Sequence, residues 1–299
     1  MLLTVEDIFT IVYTLVDDWF LEKGKTLLNR TVGAKPVFSE SEVLTLMLAI
    51  DFFEFTSERR YLKFIRANYL YLFPDLLDQS QFNRRSRELR YLLNALREAW
   101  AQELGVQFEN QFIIDTTPVI AVGYRRPKEK SNFLGSANYG HCEARKMKYF
   151  GYKLVLLCTL DGIPYSFELV PANTDERVAA DEILHTLPSH KCNVWSDKGF
   201  IGEEWHSQWS KRNIYVWTAK RKNQQQNPKF FDRILNKIRQ RIETVNDQLK
   251  EGGRSVEKNL AKTVDGICTR VLTKITCLTF RIFLKKFFNI NLLDYSVTL

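Results

Sequence analysis

The stretch Gln111–Ile120, QFIIDTTPVI, decides how this chain is read. Phe112, Ile113 and Ile114 form a short apolar run rich in β-branched residues, the signature of a buried strand. An aspartate, Asp115, follows at once. A carboxylate at the end of a buried strand is costly unless it is paired or binds a cation. In sheets with crossover helices, strand ends are also where ligands bind. The stretch therefore predicts both a strand and a site.

Working towards the C-terminus, GYKLVLLCTLDG (151–162) and IPYSFELVPA (163–172) read as two further strands, turned by Asp161-Gly162. ERVAADEILHTL reads as a helix. KCNVWSDKGF is a strand ending in a polar turn at Asp197, GEEWHSQWSKR a short helix, and NIYVWTAKR another strand. A long helix is expected from after Pro228 to about Glu251, where Gly252-Gly253 stops it. A last helix is expected over about Val256–Phe288. Residues 123–148 are polar without clear periodicity, and Lys220–Pro228 reads as an exposed loop. This order gives an α/β layout, one mixed sheet covered by helices.

Working towards the N-terminus, the signals are helical. Thr4 with Asp7, and Ser39 with Glu42, have capping-box spacing before apolar-periodic stretches. Helices are expected after Ser57 and after Ser80. Arg84, Arg85, Arg87 and Arg90 crowd the start of the latter. Two readings stand for them: a helix-turn-helix-like face that contacts DNA, or a plain bundle with a solvated basic face. The organisation expected is a small helical region over 1–105 and an α/β domain over 106–299.

The charge is divided along the same line. The chain of 299 residues carries a net +8. Residues 1–105 hold 13 Lys and Arg against 15 Asp and Glu, and the remainder holds 30 against 20. Such asymmetry points towards nucleic acid or a membrane. The membrane reading fails on the apolar run Ile267–Phe288, which is broken by Arg270, Lys274, Arg281, Lys285 and Lys286. Glu6 and Asp7 stand where a signal peptide carries basic residues. The five cysteines are odd in number, widely spaced and include no CxxC pair, so they indicate neither a disulfide framework nor a zinc ribbon, and a reduced, cytoplasmic setting fits best.

Three acids are candidates for chemistry: Asp115, Asp197 and Glu243. If the strands ending at Asp115 and Asp197 are neighbours, both carboxylates can face one site, and a helix beside them can add Glu243. Oxygen donors without a His or Cys cluster suit Mg²⁺ or Mn²⁺. Two such ions can activate a water or 3′-hydroxyl and stabilise the leaving oxygen. On the long helix Asn236, Arg239, Glu243 and Lys250 share one stripe beside the apolar one. Arg239 and Glu243 also have the spacing of an ordinary i,i+4 pair. Two basic runs flank the acids. Residues 124–153 contain Lys146 and Lys148 among aromatics, and residues 211–241 hold ten cations against one acid. Cations suit phosphates and aromatics suit unstacked bases. There is no GxxxxGK[ST], GxGxxG or GxSxG motif.

IIDTTPV, VWSDKGFIG and RQRIETVNDQLK, in this order, resemble the three acidic motifs of bacterial insertion-sequence transposases of the DDE type. KMKYFGYKL and GGRSVEK resemble the same family, and the resemblance covers roughly residues 80–288. It implies an RNase H-like catalytic core using two Mg²⁺ (or Mn²⁺) ions. The implied activity is cleavage of DNA at the element's terminal inverted repeats and joining of the 3′-hydroxyl to target DNA, with a homodimer assembled on DNA. It implies Asp115, Asp197 and Glu243 as catalytic metal ligands. Arg239, Glu243 and Lys250 match the spacing of the family's Tyr-Arg-Glu-Lys signature, with Asn236 in place of the Tyr. Arg239, Lys250, Lys198, Lys146, Lys148, Arg84 and Arg85 are the candidate DNA contacts. The alternatives are a catalytically silent, repressor-like DNA-binding protein and an RNase H-like nuclease without strand transfer.

Overall fold

The structure, a computed structural model, describes residues 3–28, 35–126, 128–129, 131–142, 146–219, 229–257 and 259–292. The expected loop over 220–228, Glu143 and Lys258 lie outside the described residues. The chain divides into two compact units, residues 101–248 and residues 1–100 with 249–299. Among the described residues no helix is long and apolar enough to cross a membrane, and all five cysteines are free thiols.

The unit over 101–248 is a mixed sheet flanked by helices. Its strands are β1 (Gln111–Val122), β2 (Asn138–Cys142), β3 (Met147–Thr159), β4 (Pro164–Pro171), β5 (Cys192–Ser196) and β6 (Ile214–Thr218). β3 is antiparallel to β1 on one edge. On its other edge it pairs β2 along its first residues and β4 along the rest. β1, β5 and β6 then run parallel. Gly162 makes the expected β3–β4 turn at φ +83, a backbone conformation that favours glycine. β2 gave no signal in the sequence because it is a short, mostly exposed edge strand without apolar alternation. Pairing with it extends β3 back to Met147.

Helices α6 (Glu176–Leu184) and α7 (Glu203–Ser210) cover one face. There Phe112, Ile114 and Val194 pack with Ala180, Ile183 and Trp209. On α8 (Lys229–Lys250) the apolar spacing Ile234, Ile238, Ile242, Val245 and Leu249 predicts a buried stripe. Ile242, Val245 and Leu249 are buried, Ile234 and Ile238 are half-buried, and Leu235 is buried as well.

The other unit is all-helical: α1 (Val5–Glu22), α2 (Glu40–Ala49), α3 (Glu58–Asn68), α4 (Gln79–Glu88), most of α5 (Arg90–Glu103) and α9 (Val264–Phe288). Both predicted capping boxes form, at Thr4 with Asp7 and at Ser39 with Glu42. The single helix expected after Ser80 is two helices, α4 and α5, interrupted at Leu89. Asp78 caps α4, in a box with Gln81. α9 starts at Val264, later than expected, because Thr263 caps it.

Residues 249–299, which the sequence reading groups with the α/β half, pack with residues 1–100. The physical reason lies in α9, which is buried nearly all round and needs other helices to cover it. Three of the charges that interrupt its apolar run, Arg270, Lys274 and Arg281, have buried partners, while Lys285 and Lys286 are exposed in its last turn. Lys274 Nζ lies 2.8 Å and Arg281 Nη2 3.0 Å from the carboxylate of Asp51, while Arg270 and Arg254 flank Glu58.

Candidate active site

The parallel ladder between β1 and β5 ends where Ile113 pairs Trp195 and Ile114 pairs Ser196. β1 itself continues to Val122 against β3. Asp115 is therefore inside a strand, not at its end as the sequence predicts, because β3 supports β1 well beyond that point. Beyond Ile114 the other edge of β1 is no longer paired with β5. An open crevice past the carboxyl end of a parallel strand is a common ligand position. Pro118 stands on this edge segment, where a missing N–H is tolerated.

Asp197 is the first residue after β5. Its carboxylate accepts the backbone N–H of Lys198 at 2.5 Å and so caps the short 3₁₀ turn Lys198–Phe200. Side chains alternate across a strand. Ile113 and Asp115 thus share a face with Trp195 and Asp197. One cleft on that face is lined by Asp115, Asp197 and Glu243, with Arg239, Ile238 and Ile242 beside them. The three candidate acids and one candidate cation are brought together within the α/β unit.

Two residues that the sequence reading passed over complete the surroundings. Asn246, three residues after Glu243 on α8, donates from Nδ2 to Asp115 Oδ2 at 2.7 Å. Its own Oδ1 accepts from Thr117 Oγ1 at 2.8 Å. Glu176, the first residue of α6, accepts from Thr116 Oγ1 at 3.1 Å and lies 3.7 Å from Lys153 Nζ. It presses on Gly199, where a Cβ would meet Glu176 Oε2 at 1.5 Å. The signal for Asn246 was its helical position, one turn beyond Glu243. The signal for Glu176 was an acid opening a helix directly after a strand of the same sheet.

These charges act on Asp115. Burial first, and then the negative charges of Asp197 and Glu176, raise its pKa to about 6 against the opposing hydrogen bonds from Thr116 and Asn246. A carboxylate beside like charges is stabilised by a cation. The donors are all oxygens, the set that suits a hard divalent ion. Among the described residues no group of three His, Cys, Asp or Glu is gathered closely enough to hold an ion; it is the type of the donors here, carboxylate oxygens without His or Cys, that fits a hard divalent cation.

The remaining candidates do not line the cleft. Lys198 is exposed beside Asp197. Lys148 is exposed near the start of β3, eight residues from Leu156, the partner of Asp115. At about 3.3 Å per residue that separates it from Asp115 by about 25 Å. Lys146 precedes it at φ +47. Lys250 ends α8 and falls in the helical unit, as do Arg84 and Arg85. Arg84 is 3.8 Å from Glu88 on its own helix. Arg85 is largely buried, bonded to the Phe38 carbonyl and to Glu40.

No curated protein matches the chain. Among solved structures it is similar to a piggyBac transposase synaptic complex with hairpin DNA, determined by cryo-EM. That match has 12% identity and a TM-score of 0.36, covering 77% of this chain and 53% of that one. The chain thus spans about half the length of that relative. The family model described as a transposase DDE domain matches residues 105–259, just over half of the chain, and so includes Asp115, Asp197 and Glu243. The chain belongs to the transposase DDE domain family.

Proposed function

We propose that this protein is the DNA transposase of an insertion sequence. It would cleave at the element's terminal inverted repeats and transfer the resulting 3′-hydroxyl into target DNA. The observation that carries the reading is the convergence of Asp115, Asp197, Glu243 and Arg239 on one cleft, at the point where β1 and β5 part. An RNase H-like reading of the core is supported by the same feature, two acids on adjacent parallel strands of a mixed sheet with a helix supplying the third.

Asp115 and Asp197 would hold Mg²⁺ or Mn²⁺, two ions in all, with Glu243 completing the second. When bound, the ions supply activation of the attacking oxygen and charge stabilisation of the leaving one. The protein's own part is positional. Asn246 fixes the Asp115 carboxylate, and the Lys198 N–H fixes that of Asp197. Arg239, beside Glu243 in the cleft, is placed for a phosphate oxygen. Lys198, Lys250, Lys146 and Lys148 are proposed as further backbone contacts, since affinity for DNA comes mainly from cations on phosphates. The partners are the element ends and target DNA, with a homodimer assembled on them, in the cytoplasm.

The test is a strand-transfer assay. Purified protein is mixed with a labelled duplex carrying the sequences that bound the gene, a supercoiled plasmid and Mg²⁺. Label joined covalently to the plasmid supports transposition. Cleavage without joining indicates a nuclease, and binding without cleavage a repressor-like protein.

A further inference from the structure

The helical unit carries a cationic surface on α3, formed by residues other than the arginines that stand out in the sequence. α3 buries Glu58, Tyr61, Leu62 and Ile65 and exposes Arg59, Arg60, Lys63 and Arg66. At about 100° per residue those four cations fall within an arc of about 120°, and Arg59 to Arg66 spans about 10 Å of helix. No acid shares the face. Glu58, the helix's one acid, is buried and paired with Arg254 at 2.9 Å.

Among the described residues Arg59, Arg60 and Lys63 make no ion pair or hydrogen bond. Arg66 donates to the Leu76 and Leu77 carbonyls, which fixes the end of the row. The arginines of α4 and α5 differ. Arg84 meets Glu88, Arg85 meets Glu40, Arg87 bonds the Asn83 carbonyl and Arg90 meets Asp265. Residues 1–105 carry more acids than cations, yet this helix face concentrates positive charge and no acid of α3 shares it. A face that served only solubility would mix both signs.

We propose that α3 docks on the phosphate backbone of duplex DNA through Arg59, Arg60 and Lys63, a contact that sets position and not sequence. This rests on the reading of the protein as a DNA transposase.

The experiment is fluorescence anisotropy of the full-length protein on a labelled duplex of arbitrary sequence, across a range of salt concentrations. The variant Arg59→Gln/Arg60→Gln/Lys63→Gln is compared with Lys25→Gln/Lys285→Gln/Lys286→Gln, which removes the same charge elsewhere in the same unit. Matched circular dichroism and melting temperature establish the fold. The slope of log affinity against log salt should fall by about 2 to 3 in the α3 variant, at about 0.9 per phosphate contact. The single variant Lys63→Gln should lower it by about one, and the control should keep the wild-type slope. An unchanged slope in the α3 variant, or an equal loss in the control, overturns the proposal while leaving the transposase reading intact. A wild-type protein that binds no DNA overturns both.

Discussion

Asn246 on α8 holds Asp115 on β1, with Nδ2 to Oδ2 at 2.7 Å, and is itself held by Thr117 at 2.8 Å. The helix that carries Glu243 and the strand that carries Asp115 are thus tied by one amide. Replacing it by alanine leaves the Thr117 hydroxyl and a carboxylate oxygen without that partner. Asn246→Ala should lower stability by about 1–3 kcal/mol in urea unfolding. DNA cleavage should fall more than DNA binding, because the carboxylate loses its orientation.

The raised pKa of Asp115 makes a pH prediction with a definite sign. Its folded pKa, about 6, lies above the unfolded value near 3.8, so the folded state favours the protonated form. The contribution is fully present below about pH 4 and is lost as pH rises through 6. In metal-free buffer Asp115→Asn should flatten that part of the stability profile and gain about 1–3 kcal/mol at pH 7. Glu176→Gln removes one of the like charges and should move the midpoint downward. Urea midpoints across pH 4–8 check both.

The helical unit rests on buried charges. Asp51 accepts from Lys274 and from Arg281 with all three side chains buried. Removing one partner of such a group leaves uncompensated charge. Asp51→Ala should cost about 3–5 kcal/mol. Gly252→Ala should also destabilise, since φ is +71 and a Cβ would meet the Asp51 carbonyl at 2.5 Å. Thermal melts of the two variants provide the check.

Much of this architecture is legible in the sequence because its signals are local. Capping boxes, the Asp-Gly turn and the apolar stripe of α8 depend on residues within a turn or two of one another. The three acids stand out because each follows a recognisable apolar run or helical stripe. What stayed hidden depends on contacts distant along the chain. Asn246 is a neutral amide on a charged helix and gains meaning only from Asp115, 131 positions away. Glu176 looks like an ordinary first-turn acid until Gly199 and Thr116 are seen against it. Arg270, Lys274 and Arg281 of α9 read as interruptions of an apolar run until Asp51 and Glu58 are placed beside them. The arginines of α4 drew notice by number, yet number does not reveal which cations already have partners.

The central claim is that Asp115, Asp197 and Glu243 form a catalytic centre for DNA cleavage. The most direct measurement is the single-turnover rate of Mg²⁺-dependent nicking of DNA carrying the element ends, for the wild type and Asp197→Ala, with DNA affinity measured alongside. Removing one essential group of a catalytic set typically costs several orders of magnitude in rate. We predict nicking by the wild type that leaves a 3′-hydroxyl, and loss of nicking in Asp197→Ala with DNA binding retained. Nicking by Asp197→Ala at the wild-type rate would contradict the account.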